Sequence, residues 1–140
     1  MRRPRVLFVC IGNACRSQMA EAFARTYGAS VVEPASAGLS PAGWISPITA
    51  LLMLEKNITL ESQFSKGLDQ VGTDFDLIVN MSAESFPVSG SVPVREWVVE
   101  DPIGLPFAEH RAIRDQIELL VRGLLAELQS AAKASSAAKD

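Results

Sequence analysis

VLFVCIGNACRSQMAEAF, residues 6–23, decides how this chain is read. Val6, Leu7, Phe8 and Val9 form a continuous apolar run of the kind that a strand buried on both faces requires. Residues 10–16 break that pattern, and from Ser17 onward Met19, Ala20, Ala22 and Phe23 supply the packing residues of a helix. A cysteine, Cys10, therefore stands where a strand stops and a loop begins. Gly12 and Asn13 are the residue types that most readily take positive φ, so the loop is expected to curl its N–H groups toward one point. The helix that follows adds its unsatisfied N-terminal N–H groups and the positive end of its dipole. Ile11, Gly12, Asn13, Ala14, Cys15 and Ser17 thus frame an oxyanion site, and the same field favours the thiolate form of Cys10. Arg16 carries a planar fork that can hold two oxygens of a tetrahedral anion against the sulfur.

The chain has 140 residues, 48% of them hydrophobic, enough to bury a core within one domain. One domain carrying the catalytic site is predicted over residues 1–129. Residues 130–140 are alanine, serine and lysine up to a final aspartate, with little to bury, and a disordered tail is predicted there. A formal net charge of −3 gives no basic footprint, so nucleic acid is not an expected partner. Arg2, Arg3 and Arg5 precede an apolar run as in a signal peptide, but the run is short and breaks at Gly12. No other stretch suits a membrane span, so a cytoplasmic protein without a membrane partner is expected. The two cysteines lie in one loop and cannot make a disulfide framework. With one histidine, His110, ligands for a metal are scarce, and neither metal nor cofactor is expected.

Downstream, a short strand is predicted from Val31 and Val32 through Gly38, followed by a loop containing Pro41, Gly43 and Trp44. Ser46 and Pro47 read as cap and first residue of a helix carrying Leu51, Met53 and Leu54. Residues 58–66 are weakly patterned, and residues 66–71 allow one helical turn. Residues 76–81, DLIVNM, read as a buried parallel strand, and residues 97–99 as another. Ile113, Ile117, Leu120, Val121, Leu124, Leu125 and Leu128 recur at helical spacing. His110 is read as a solvated residue at the start of that helix. Trp44 and Trp97 are read as packing residues, with Trp44 in a segment able to wall a cleft.

Strands alternating with helices predict an α/β fold whose parallel sheet is covered on both faces and binds ligands beyond its strand C-termini. Cys10 and Asp101 both fall at such predicted ends. A thiolate attacking phosphorus or arsenic needs in-line geometry, stabilised equatorial oxygens and a proton for the leaving oxygen. Asp101 can supply that proton, Pro102 stiffens its loop, and Ser17 is a natural donor to the Cys10 sulfur. An oxyanion-binding regulatory module without turnover is the reading of another class, and the combination of Cys10, Arg16 and Asp101 argues against it.

CIGNACRSQMAEAF, with Cys10, five residues, then Arg16 and Ser17, resembles the phosphate-binding loop of the low-molecular-weight protein tyrosine phosphatases and the related arsenate reductases. The resemblance continues through Ser36, Ala37 and Gly38, DLIVNM, the Asp101 and Pro102 pair, and the terminal helix. It implies a three-layer α/β sandwich with a central four-stranded parallel sheet flanked by helices. It also implies Cys10 as nucleophile, Arg16 as oxyanion ligand, Asp101 as general acid and Asn13 as a residue that holds the loop's shape.

The two branches of the family give two readings. Gln18, Met19, Ala20 and Glu21, and residues 110–117, resemble the reductase branch, and Ile103 and Gly104 stand where tyrosine phosphatases commonly carry aromatic residues. Thioredoxin-coupled reductases, however, use a pair of cysteines just beyond the third strand, and this stretch has none. A phosphatase acting on a phosphorylated protein or small phosphoester needs only Cys10, Arg16, Asp101 and water, and it ranks first. The alternative is an arsenate reductase that takes arsenate and an outside thiol, mycothiol or glutathione with glutaredoxin. Cys15 either packs or closes a reversible disulfide with Cys10. Glu21, Ser36 and Asn13 resemble a potassium site of some arsenate reductases, but Lys66 stands near the position of that site's acidic ligand.

Overall fold

In the computed structural model, which describes residues 2–139, β1 (Arg5–Cys10) is flanked on both edges by parallel partners. The sheet comprises β1, β2 (Glu33–Gly38), β3 (Leu77–Asn80) and β4 (Val94–Glu96) in the order β2-β1-β3-β4. Every pairing is parallel, with Cys10 opposite Gly38 and Asn80 opposite Glu96. The helices are α1 (Arg16–Gly28), α2 (Pro47–Leu54) and α3 (Phe107–Lys139), and a 3₁₀ turn spans Leu68–Gln70.

The alternation of side chains along β1 divides the core. Val6 and Phe8 pack with Met19 and Phe23 of α1, Met53 of α2, and Ile117 and Val121 of α3. Leu7 and Val9 point the other way, toward Ile78, Phe75, Leu68, Phe86 and Val88. The four-stranded parallel sheet expected from the sequence is present, but its two faces differ. The three helices cover one face, and the 3₁₀ turn and loops cover the other. A strand buried on both faces has no polar alternation, which is why residues 6–9 are uniformly apolar. Gly28 allows α1 and α3 to approach, since a Cβ there would lie 2.4 Å from Leu125 Cδ2.

Several boundaries depart from expectation. The strand predicted at residues 97–99 lies instead at Val94–Glu96, and the Trp97 N–H supplies the last bond, to Asn80 O at 2.9 Å. As an edge strand it carries Arg95 and Glu96 outward and lacks the apolar signature, while Val98 is 92% exposed. β2 starts at Glu33, because the N–H groups of Val31 and Val32 both turn back to Gly28 O. Ser46 makes no side-chain cap bond, and its hydroxyl faces Cys15.

His110 is buried at 5% exposure, against the expectation of a solvated residue. It shares the stripe of Ile113, Arg114, Ile117 and Val121 at three- and four-residue spacing, so helical phase places it on the core side. Trp97 packs on Phe8 with ring centroids 5.9 Å apart, whereas Trp44 is 57% exposed. The tail predicted to be disordered from Ser130 continues α3 to Lys139. Alanine has the highest helix propensity, and extending a formed helix needs no new nucleus. Among the described residues no helix is long and apolar enough to cross a membrane.

An ion-pair cluster joins α2 to α3. Arg111 donates to both Glu55 oxygens, at 3.0 and 2.8 Å, and Arg114 Nη1 donates to Glu55 Oε1 at 2.6 Å. The bonds from Arg111, then Arg114, lower the Glu55 carboxyl from the usual 4.5 to about 2. The unfolded chain takes up this proton at the higher value. The pairing therefore stabilises the fold above about pH 4.5 and is lost as pH falls toward 2. Glu55→Gln is expected to lower Tm at neutral pH and low salt, with the two proteins converging near pH 2. Parallel Tm curves across that interval would contradict this.

Candidate active site

Cys10 closes β1 with only 2% of its surface exposed, and the chain then turns through residues 11–15 into α1. Each carbonyl of the turn is held from outside. Leu39 N–H donates to Cys10 O (3.1 Å), Ser40 to Ile11 O (2.8 Å), Ala42 to Gly12 O (2.9 Å) and Ser46 to Ala14 O (3.1 Å). The side chain of Gln18 donates to Asn13 O at 3.0 Å, and Met19 N–H to Cys15 O at 3.0 Å. Among the described residues, the N–H groups of residues 11–15 donate to no protein acceptor. With carbonyls turned out and amides left over, the loop is an anion nest at a helix N-terminus.

Positive φ is expected for both Gly12 and Asn13, but only Asn13 has it, at 50°. The asparagine is held there by its own side chain: Oδ1 accepts from Lys66 N–H at 3.0 Å, and Nδ2 donates to Ser17 Oγ at 2.7 Å. Gly38, at the end of β2, backs onto the loop. A Cβ there would lie 2.6 Å from Ile11 O and 2.8 Å from Asn13 N. Both are backbone atoms, so any side chain would push the nest out of shape.

Cys10, Arg16 and Asp101 are far apart in sequence but line one pocket, together with Gly12, Ala14 and Cys15. Ser17 Oγ lies 2.9 Å from Cys10 Sγ. Arg16 is buried, and its Nη1 donates to Met81 O (2.6 Å) and Val99 O (3.0 Å), which fixes the guanidinium between the ends of β3 and β4. Its Nη2 lies 3.7 Å from Asp101 Oδ2. The Asp101 side chain is 45% exposed, and its Oδ1 accepts the Ile103 N–H at 3.0 Å, so the loop after β4 presents a carboxyl over the nest. A groove containing Arg16 and Asp101 continues past Ile11, Met81 and Trp97.

Both thiols are free. Cys15 lies beside Thr49 and Ser46, and burial pushes its thiol above the usual range. Trp44 is absent from both pockets. Where the sequence resembles a cation site, Ser36 donates to Glu21 Oε1 at 2.5 Å and Lys66 Nζ lies 3.8 Å from the same oxygen. Burial lowers the Lys66 ammonium below its usual range, with the Glu21 charge opposing.

Sequence reasoning missed the segment behind the loop. Gln18, Gln63, Ser65 and Lys66 all bond to it or to one another, Ser65 Oγ donating to Gly12 O at 3.1 Å. Chemically, the arrangement can seat a tetrahedral oxyanion on backbone amides and Arg16, with a sulfur on one side and a carboxyl at the mouth.

The chain matches the family model described as low molecular weight phosphotyrosine protein phosphatase over residues 5–134. A glutaredoxin arsenate reductase from Synechocystis sp. is 31% identical over 129 residues, covering 89% of this chain and 98% of that protein. The solved structure of an arsenate reductase in the phosphate binding state superposes with a TM-score of 0.80 at 30% identity, covering 89% of this chain and 98% of that one. An arginine phosphatase from Geobacillus stearothermophilus superposes with a TM-score of 0.75 at 30% identity, covering 91% and 94%.

Proposed function

Since this chain belongs to the low molecular weight phosphotyrosine protein phosphatase family, we propose that it is a cysteine-dependent phosphatase of phosphomonoesters, acting through a phosphocysteine intermediate. The observation that carries this reading is the nest of unclaimed amides around Cys10, with Asp101 facing it across Arg16. Cys10 Sγ attacks phosphorus in line, forming the S–P bond as the P–O bond to the leaving group breaks. Asp101 gives its proton to the departing oxygen. The amides of residues 11–15 and Arg16 stabilise the equatorial oxygens. Asp101, now a carboxylate, takes a proton from the water that attacks phosphorus. The S–P bond breaks, and Ser17 stabilises the released thiolate. Phosphorylated proteins or small aryl phosphates are the substrates of this reading. A reducing compartment such as the cytoplasm suits it, because the nucleophile has to stay a thiol.

The similarity to proteins named arsenate reductase favours a second reading. Arsenate would bond to Cys10, and an outside thiol would attack that sulfur, releasing arsenite and leaving a mixed disulfide for a second thiol to reduce. This reading uses an outside thiol because the chain holds two cysteines, and the second, Cys15, is buried with its thiol pushed above the usual range. One comparison separates the readings. The same preparation is given an aryl phosphate at pH 5 to 7, and arsenate with glutathione, mycothiol or glutaredoxin. Phosphate release without any thiol is the expected result. Thiol-dependent arsenite release with no ester hydrolysis would overturn the phosphatase reading.

A further inference from the structure

A run of side-chain hydrogen bonds leaves the nest and ends at the surface. Arg25 Nη1 donates to Gln63 Oε1 at 2.7 Å, and Gln63 Nε2 donates to Gln18 Oε1 at 2.6 Å. Gln18 Nε2 donates to Asn13 Oδ1 at 2.8 Å, and Asn13 Nδ2 donates to Ser17 Oγ at 2.7 Å. Ser17 Oγ, 2.9 Å from Cys10 Sγ, already accepts from Asn13, so its own hydrogen is free to donate to the sulfur. The four bonds from Arg25 to Ser17 point the same way, from an exposed guanidinium toward a buried sulfur, and a Cys10 thiolate, which can only accept, continues them with the fifth.

The direction does not depend on how the amides are drawn, because a backbone group fixes each one. Asn13 Oδ1 takes the Lys66 N–H, which demands an oxygen there. Gln18 Nε2 also bonds Phe64 O and Asn13 O, and Gln63 Nε2 bonds Gln18 O, which demand donors. A guanidinium only donates, so it fixes Gln63 Oε1 as well.

We propose that Gln63 and Gln18 are positioning residues that polarise the Ser17 hydroxyl toward Cys10 and bring the pull of Arg25 into the site. Head-to-tail hydrogen bonds strengthen one another, by roughly 10–30% per bond, and a polarised hydroxyl stabilises a thiolate more than a thiol. The reactivity of Cys10 is then partly set by the segment of residues 61–66, which touches no substrate. The inference rests on Cys10 as nucleophile, and it holds for attack on phosphate or arsenate alike. The other charged and titratable groups at the two ends of the chain of bonds are Arg16, Asp101 and Cys15 around the pocket, and Glu21 and Lys66 beside Arg25. The test leaves all of them in place.

The readout is the rate of iodoacetamide alkylation of Cys10, located by tandem mass spectrometry on the peptide that also holds Cys15. The ratio of the rates at pH 6 and pH 9 cancels changes in access and reports the thiolate fraction. Gln63→Leu removes the link, and Gln63→Glu keeps the acceptor for Arg25 but has no donor for Gln18. Both are expected to lower the ratio, by up to about threefold for a shift of half a pH unit. Inhibition by inorganic phosphate should stay within twofold, which a collapsed loop would not allow. A wild-type ratio in both variants, or a loss of phosphate inhibition that accounts for the change, overturns the proposal. If the ratio falls while wild type turns over neither ester nor arsenate, the polarising chain stands and the phosphatase reading fails. Normal ester turnover with an unmoved ratio gives the reverse.

Discussion

Cys10→Ser should abolish hydrolysis of an aryl phosphate, lowering kcat by at least about four orders of magnitude. Serine is nearly isosteric, but its hydroxyl is un-ionised at neutral pH, and no histidine stands beside it: the one histidine is on α3, in the helix-facing core. The nest is built from backbone amides of residues 11–15 and from Arg16, none of which the substitution touches. Phosphate should therefore still bind the variant within a few fold of wild type, as measured by calorimetry. Cys15 is a poor substitute, since it is buried and burial pushes its thiol up. Residual turnover above about 1% of wild type would place the nucleophile elsewhere.

Asp101→Asn is expected to lower kcat by about 10² to 10⁴ for phenyl phosphate or phosphotyrosine, whose leaving oxygens need a proton. For p-nitrophenyl phosphate, which leaves readily as an anion, the loss in the first step should be much smaller. In the proposed mechanism the same carboxyl is the base for the attacking water, so dephosphorylation of Cys10 should slow for every ester and the phosphocysteine should accumulate. The side chain is 45% exposed, and its ion pair with Arg16 is long at 3.7 Å, so the fold should be nearly unaffected. Equal rates for variant and wild type with phenyl phosphate, from steady-state kinetics, would remove Asp101 from the reaction.

The loop was legible because its chemistry is local. A strand without polar alternation, a cysteine at its end, an asparagine able to take positive φ, and a helix beginning at Arg16 are all contained in residues 6–23. Asp101 was legible only through its place after a strand and before a proline, and the true strand ends at Glu96. The loop between carries it back over the nest, a path that depends on Arg16 bonding Met81 O and Val99 O. The role of residues 61–66 was not legible. Gln63, Ser65 and Lys66 attach to the nest through single polar bonds across some fifty residues of chain, which leave no hydrophobic period to detect. His110 differs again, since the helical phase that buries it was present in the sequence and was outweighed by its polar character.

The most direct test of Cys10 as the nucleophile is to find the phosphoryl group during turnover. Asp101→Asn is mixed with p-nitrophenyl phosphate, quenched in acid within the first turnovers, and digested for mass spectrometry. The expected result is one phosphoryl group on the sulfur of Cys10, appearing with the first equivalent of nitrophenol and absent when Cys10→Ser is added to the same chain. Nitrophenol release with no phosphoryl group on Cys10 at any quench time, or with one on another residue, would contradict it.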